Sequence, residues 1–141
     1  MINGQEADSV AERRTQLREA AEAFFEALNR KDFEAIPYDD KIVFRAPIAP
    51  GGRHFPLLGK EALRAVWWPP LEPMLGEAKI VAHYYDEELT AIITVADIHT
   101  VSPRATLRVA DRFTVNAGGK ITEQENHFDP RDVTTPGWRD R

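Results

Sequence analysis

Carboxylates and imidazoles are the candidates for proton chemistry in this chain, and the absence of cysteine excludes disulfides, thiolate zinc sites and cysteine nucleophiles together. The stretch from Val109 to Asp129 reads V-A-D-R-F-T-V-N-A-G-G-K-I-T-E-Q-E-N-H-F-D, two alternating arms joined by Asn116-Ala117-Gly118-Gly119. Alternation on both sides of such a turn predicts a β-hairpin. In its first arm Leu107, Val109, Phe113 and Val115 share one side of the pleat, and parity places Asp111 among them. A carboxylate on an apolar face loses several kcal/mol of hydration, so Asp111 is expected to be neutral, paired or wet. As a neutral acid it can donate a hydrogen bond to a developing oxyanion. As a structural anchor it would accept one from Trp67 or Asn126.

Asp97 and His99 form the second candidate, two residues apart on one strand face. Their Cβ atoms would lie about 7 Å apart, close enough for both to touch one substrate or water and share a proton. If Asp97 faces a pocket, Val95 and His99 face it too. If Phe128 does, Asn126 and Gln124 follow, while Glu123, Glu125 and His127 turn outward. The catalytic candidates are therefore Asp97, His99 and Asp111, and the substrate-binding candidates are Phe24, Trp67, Gln124, Asn126 and Phe128. The plainer alternative makes Asp97 and His99 a hydrogen-bonded pair holding neighbouring strands, and Phe24 and Trp67 wall and core. His54 lies in a loop, where an exposed histidine is usually just solvated, and one of Tyr84 and Tyr85 must face inward. The four histidines make no i, i+4 pair on a helix, so no metal site is expected. With no phosphate-binding loop, dinucleotide fingerprint or nucleophile elbow either, the expected chemistry needs no cofactor.

The elements that must position these groups follow from the rest of the pattern. Ser9 and Glu12 have capping-box spacing, and Leu17, Ala21, Phe24 and Leu28 recur at helical spacing with Phe25 beside them. Asp32 is placed to cap a short second helix through Ile36, which Pro37 ends. Lys41 to Ala46 alternates as a strand, and the Pro- and Gly-rich run from Pro47 to Pro56 is a loop of the kind that rims sites. A third helix opens at Gly59-Lys60, with Leu63, Val66 and Trp67 on one face, and Pro69-Pro70 stops it. After a loop from Pro73 to Gly76, four segments rich in β-branched and aromatic residues run Lys79 to Asp86, Leu89 to His99, Arg104 to Asn116 and Lys120 to Phe128. Helices first and long hairpin strands afterwards describe an α+β fold, with helices on one face of a curved, mainly antiparallel sheet. The whole chain, 1–141, is expected to be one domain, with 131–141 as a C-terminal tail.

Bulk composition narrows the function. Hydrophobic residues at 43% and charged residues at 29% describe a globular chain, and a net charge of −5 with scattered bases gives no footprint for nucleic acid. No apolar run approaches the roughly 20 residues of a membrane span, so a soluble, cytoplasmic protein is expected, with a reducing compartment fitting the lack of cysteine.

The phrases A-F-F-E-A-L-N-R-K-D-F-E-A-I, L-L-G-K-E-A-L-R-A-V-W and D-R-F-T-V-N-A-G-G-K-I-T-E-Q-E-N-H-F-D resemble the nuclear transport factor 2-like superfamily, and within it SnoaL-like polyketide cyclases, ketosteroid isomerases and limonene epoxide hydrolases. The resemblance implies a cone-shaped α+β barrel, with N-terminal helices closing a strongly bent sheet around a deep apolar pocket. It also implies a homodimer formed through the sheet's outer surface. Asp111 falls where ketosteroid isomerases keep a protonated aspartic acid. However, their oxyanion tyrosine falls on Phe24 and their base aspartate on Ala46. Against limonene epoxide hydrolases, Asp97 matches the first aspartate, while the arginine falls on Val95 and the last-strand aspartate on Asn126. The expectation is a cofactor-independent isomerase, cyclase, dehydratase or hydrolase acting on a small apolar or aromatic oxygenated molecule through Asp97 and His99, with Asp111 assisting. The alternative is a non-catalytic ligand-binding or dimeric interaction domain.

Overall fold

The protein is described by a computed structural model covering residues 4–134. Helix α1 (Gly4–Arg30) starts well over a turn earlier than the capping-box pattern implies, and buries Leu17, Ala20, Ala21, Phe24, Phe25, Ala27 and Leu28 along one stripe. That stripe lies on the inner face of a six-stranded sheet in the order β2-β1-β6-β5-β4-β3. The strands are β1 (Tyr38–Arg45), β2 (Leu57–Leu58), β3 (Leu75–Tyr85), β4 (Ala91–Val101), β5 (Arg104–Val115) and β6 (Ile121–His127). Every neighbouring pair is antiparallel except β1 with β6, which run parallel. The sheet has two edges, β2 and β3, and is not closed. Among the described residues no helix is long and apolar enough to cross a membrane.

The short elements depart from the sequence pattern for local reasons. The segment expected as a second helix is a single 3-10 turn, Phe33–Ala35, and the Asp32 side chain makes no capping bond. The third helix is not stopped by Pro69-Pro70. It runs as α2 (Lys60–Ala62), a π turn (Leu63–Trp67), α3 (Trp68–Leu71) and a 3-10 turn (Glu72–Met74). The prolines sit at the first turn of α3, where a missing N–H costs least. The π turn also rotates Val66 outward, leaving it 39% exposed while Leu63 and Trp67 are buried, which corrects the expectation of one shared face. Residues Leu75 to Ala78, expected to be largely loop, already belong to β3. A short helix α4 (Arg131–Thr134) begins the tail, whose Pro136, Gly137 and Trp138 lie outside the described residues.

Aromatic rings fill the space between α1 and the sheet. Phe24 meets Phe25 edge-on at 5.0 Å and Phe113 at 5.2 Å, and Trp67 packs on Phe44 at 4.7 Å. Arg13 ties this layer to the far ends of two hairpins, donating from Nε to the Leu89 carbonyl at 2.8 Å and from its terminal nitrogens to the carbonyls of Val115 and Asn116. The Asn116–Lys120 turn matches the sequence reading, with Asn116 accepting from the backbone N–H of Gly118 and Lys120 and Gly119 adopting φ +81.

Candidate functional site

Strand β5 places Leu107, Val109, Asp111, Phe113 and Val115 on the inner face, all buried. Strand β6 adds Gln124 and Asn126 to the same face, with Glu123 and His127 outside. Asp111 stands directly opposite Asn126 in the ladder, and the Asn126 amide donates to its Oδ1 in a close hydrogen bond. Asp111 is only 1% exposed. Burial pushes its carboxyl up to about 7, against the opposing pull of the Asn126 bond, which favours the ionised form. An aspartic acid near neutrality inside an apolar wall can both donate and accept a proton.

Strand β4 corrects the assignment of Asp97 and His99. Its inner face carries Ile92, Thr94, Ala96, Ile98 and Thr100, and its outer face Ile93, Val95, Asp97, His99 and Val101. Asp97 accepts from Arg108 Nε at 2.6 Å and Nη2 at 3.3 Å across the β4/β5 ladder, and this pairing holds its carboxyl below the usual range. His99 Nδ1 pairs with Thr106 Oγ1 at 2.9 Å, also on the outer face. Asp97 and His99 therefore do not share a chamber with Asp111. The physical reason is register: β4 and β5 pair with Asp97 opposite Arg108 and Ile98 opposite Leu107, so the buried face of β5 fixes that of β4.

The inner chamber beside Asp111 has a volume of about 40 Å³ and is lined by Phe24, Trp67, Leu107, Val109, Asn126 and Phe128 among others. Gln124 is not part of its lining. It is buried beside Tyr38, whose hydroxyl donates to Gln124 Oε1 at 2.5 Å, while Gln124 Nε2 has no partner among the described residues. Burial, and then the negative charge of Asp111, push the Tyr38 hydroxyl well above its ordinary value. Tyr38 was missed in the sequence because it sits just before the alternation that marks β1.

A second, larger chamber of about 320 Å³ lies outside the first. Its walls come from the Pro-rich loop (Ile48, Ala49, Pro50), the broken helix (Val66, Trp67, Pro70, Leu71, Met74), Pro103 and Val133. Ile48, Trp67, Leu71 and Met74 line both chambers, so the two adjoin along these side chains. Asp111 is the one carboxylate lining either chamber among the described residues. Tyr85 is the inward member of its pair and Tyr84 is outward, 59% exposed.

An open curved sheet covered on one face by a long helix, with an apolar pocket between them, is the nuclear transport factor 2-like architecture. The SnoaL-like domain model matches residues 21–124, and the chain belongs to that family. The chain is similar in structure to an epoxide hydrolase of the limonene type from Mycobacterium tuberculosis, at TM-score 0.68 and 24% identity over 89% of this chain and 91% of that one. It is similar to a Δ5-3-ketosteroid isomerase from a Mycobacterium species, at TM-score 0.69 and 22% identity over 84% and 95%. RV0760c from M. tuberculosis in complex with estradiol-17beta-hemisuccinate superimposes at TM-score 0.69, with 16% identity over 84% and 96%. No curated protein sequence matches this chain.

Proposed function

We propose that this chain binds a small apolar oxygenated molecule, with its bulk in the outer chamber and one oxygen directed at Asp111 and Asn126, and that Asp111 acts on that oxygen as a cofactor-independent acid. The observation that carries the reading is a buried carboxyl, pushed up to about 7, in a mostly apolar cavity wall whose other polar side chains among the described residues are Asn126 and Thr100. In its protonated form Asp111 donates to a carbonyl, epoxide or hydroxyl oxygen and stabilises negative charge developing there. Asn126 holds the carboxyl in place by donating to Oδ1. The steroid conjugate carried by RV0760c supports small-molecule binding in this fold. A volume near 320 Å³ falls at the lower end of ligand pockets.

The probe is 2-naphthol, followed by quenching of the intrinsic tryptophan fluorescence, to which Trp67 in the chamber wall contributes. Asp111→Leu is expected to weaken binding roughly tenfold, the worth of one hydrogen bond to a strong donor, while Asp97→Asn leaves it unchanged. Equal affinity in wild type and Asp111→Leu would falsify the assignment.

A second reading, a non-catalytic binding domain, is favoured by the size of the inner chamber, about 40 Å³, which admits little more than a water. Phe24 and Ala46 also stand where related isomerases carry a second and third catalytic group. Deuterium exchange of the α-hydrogens of 2-tetralone separates the two readings. Exchange above the buffer rate supports chemistry, and binding without exchange supports the domain that only binds. The same resemblance supports a homodimer through the outer sheet face, where Tyr84, Ile93 and Val101 are exposed. Sedimentation equilibrium is expected to give twice the chain mass, and a monomer at high concentration would remove the idea.

A further inference from the structure

The inner face of the sheet carries a polar row that the site described so far uses only at one end. Reading across the ladders, His83 on β3 stands opposite Thr94 on β4, Thr94 opposite Asp111 on β5, and Asp111 opposite Asn126 on β6. Thr94 is fully buried, and its flanks on the same face are Ile92 and Ala96. A hydroxyl in such a layer needs a partner, and Thr94 Oγ1 lies 2.8 Å from His83 Nδ1. His83 Nε2 lies 3.7 Å from Glu22 Oε1 on α1, whose side chain is 47% exposed. The row thus leads from the solvent side of α1 to the wall of the inner chamber, away from the outer chamber in which the proposed ligand would sit. An acid at the closed end of an apolar cavity is cut off from water once ligand fills the entrance, so its proton needs another way in and out.

We propose that His83, Thr94 and Asp111 form a proton relay in which the tautomer of His83 follows the protonation state of Asp111. The relay rests on the reading of Asp111 as the acid of the cavity. Residues directly opposite in an antiparallel ladder have Cβ atoms about 4.5–5.5 Å apart, near enough for the Asp111 carboxyl to shift onto the Thr94 hydroxyl while that hydroxyl keeps its bond to His83. With Asp111 neutral and no ligand oxygen taking its hydrogen, its O–H donates to Thr94 Oγ1, Thr94 donates to Nδ1 of His83, and His83 carries its hydrogen on Nε2, facing Glu22. On deprotonation the Asp111 proton passes to Thr94 Oγ1, the threonine hydrogen passes to Nδ1, and the Nε2 hydrogen leaves to solvent beside Glu22. The products are a carboxylate accepting from Thr94 and a neutral imidazole protonated at Nδ1, so one proton has left and each bond in the row has reversed. Recharging runs the same steps backward.

The charged groups facing His83 are Glu22 and Arg18 of α1, and burial holds its imidazole below the ordinary histidine value. That lowering favours the neutral ring that the relay requires. The titratable group facing Asp111 from β1 is Tyr38, which stays protonated throughout. His83 is a positioning residue here, because it reaches the ligand only through Thr94 and Asp111.

The test is nitrogen-15 NMR of the His83 ring in the full chain from about pH 5 to about pH 9, with the Asp111 carboxyl carbon followed in parallel. Wild type is expected to exchange the Nδ1 and Nε2 shifts, as a tautomer inversion, at the midpoint of the Asp111 titration. Asp111→Asn and Thr94→Val should both abolish the inversion, and Thr94→Ser, which keeps the hydroxyl, should retain it. Thr94→Ala replaces Thr94→Val if the valine variant does not fold. A wild-type His83 holding one tautomer through the Asp111 titration, or an inversion unaffected by Asp111→Asn, overturns the relay. If 2-naphthol binding depends on Asp111 while His83 does not invert, the relay alone fails. Inversion without any such dependence sinks the pocket reading instead.

Discussion

Asp111 on β5 and Asp97 on β4 are the same side chain on neighbouring strands, and the sheet gives them opposite chemistry. Asp111 faces α1, and its carboxyl receives a single neutral amide bond while burial favours the protonated form. Asp97 faces outward, receives a charged guanidinium fork from Arg108 and is held ionised. A raised and a lowered carboxyl thus arise within one hairpin, from which side of the pleat each occupies. What makes an aspartate a candidate acid is desolvation without a cation, and only the inner face supplies it.

The largest effect should come from packing on that inner face. Phe113→Ala removes a fully buried ring in contact with Phe24 and Phe25 and is expected to cost about 3–5 kcal/mol. Ile93→Ala, one strand away on the outer face, should cost less than about 1 kcal/mol. Urea unfolding measures both, and similar losses would mean that the two faces are not distinguished as described.

Next comes the pH dependence of stability. Because the folded-state pKa of Asp111 is raised, the folded state binds more protons than the unfolded one between the ordinary aspartate value and about 7. Stability carried by this group is therefore full at acid pH, falls as pH rises through that window, and is flat above it. The expected loss is on the order of a few kcal/mol. In Asp111→Asn the decline should disappear, so the variant gains on wild type between acid and neutral pH. Parallel pH profiles for the two proteins would contradict the raised carboxyl.

The smallest effect is predicted for Asp97→Asn. Exposed ion pairs contribute little and are screened by salt, so unfolding midpoints should barely move, least of all at high ionic strength. A loss comparable to that of Phe113→Ala would show that the outer pair is structural in a way its exposure does not explain.

The sequence made the layers and the Asp111 face legible, because Leu107, Val109, Phe113 and Val115 leave β5 only one reading. Strand β4 offered no such contrast. Ile92, Thr94, Ala96, Ile98 and Thr100 on one side are hardly more apolar than Ile93, Val95, Asp97, His99 and Val101 on the other. Hydrophobic pattern alone therefore could not tell the faces apart. The deciding information was the tight turn at Ser102-Pro103, which sets Asp97 opposite the outward Arg108 and Thr94 opposite the inward Asp111. The boundary shared by the chambers was illegible for a different reason. Paired prolines read as a helix stop, whereas here they begin α3 directly after a π turn, a local choice that pattern does not encode.

The parallel pairing of β1 with β6 joins Tyr38–Arg45 to Ile121–His127, segments with β2, β3, β4 and β5 between them in the chain. During synthesis at about 5–20 residues per second, β1 emerges early and waits as a bare edge for its last neighbour. Asn126 arrives on that same strand, opposite Asp111. Until β6 docks, Asp111 has neither its amide partner nor the wall that dries it, and it is an ordinary ionised aspartate. Its character as an acid is acquired only when the sheet is complete, so a nascent or truncated chain can hold most of the helical layer and none of the site.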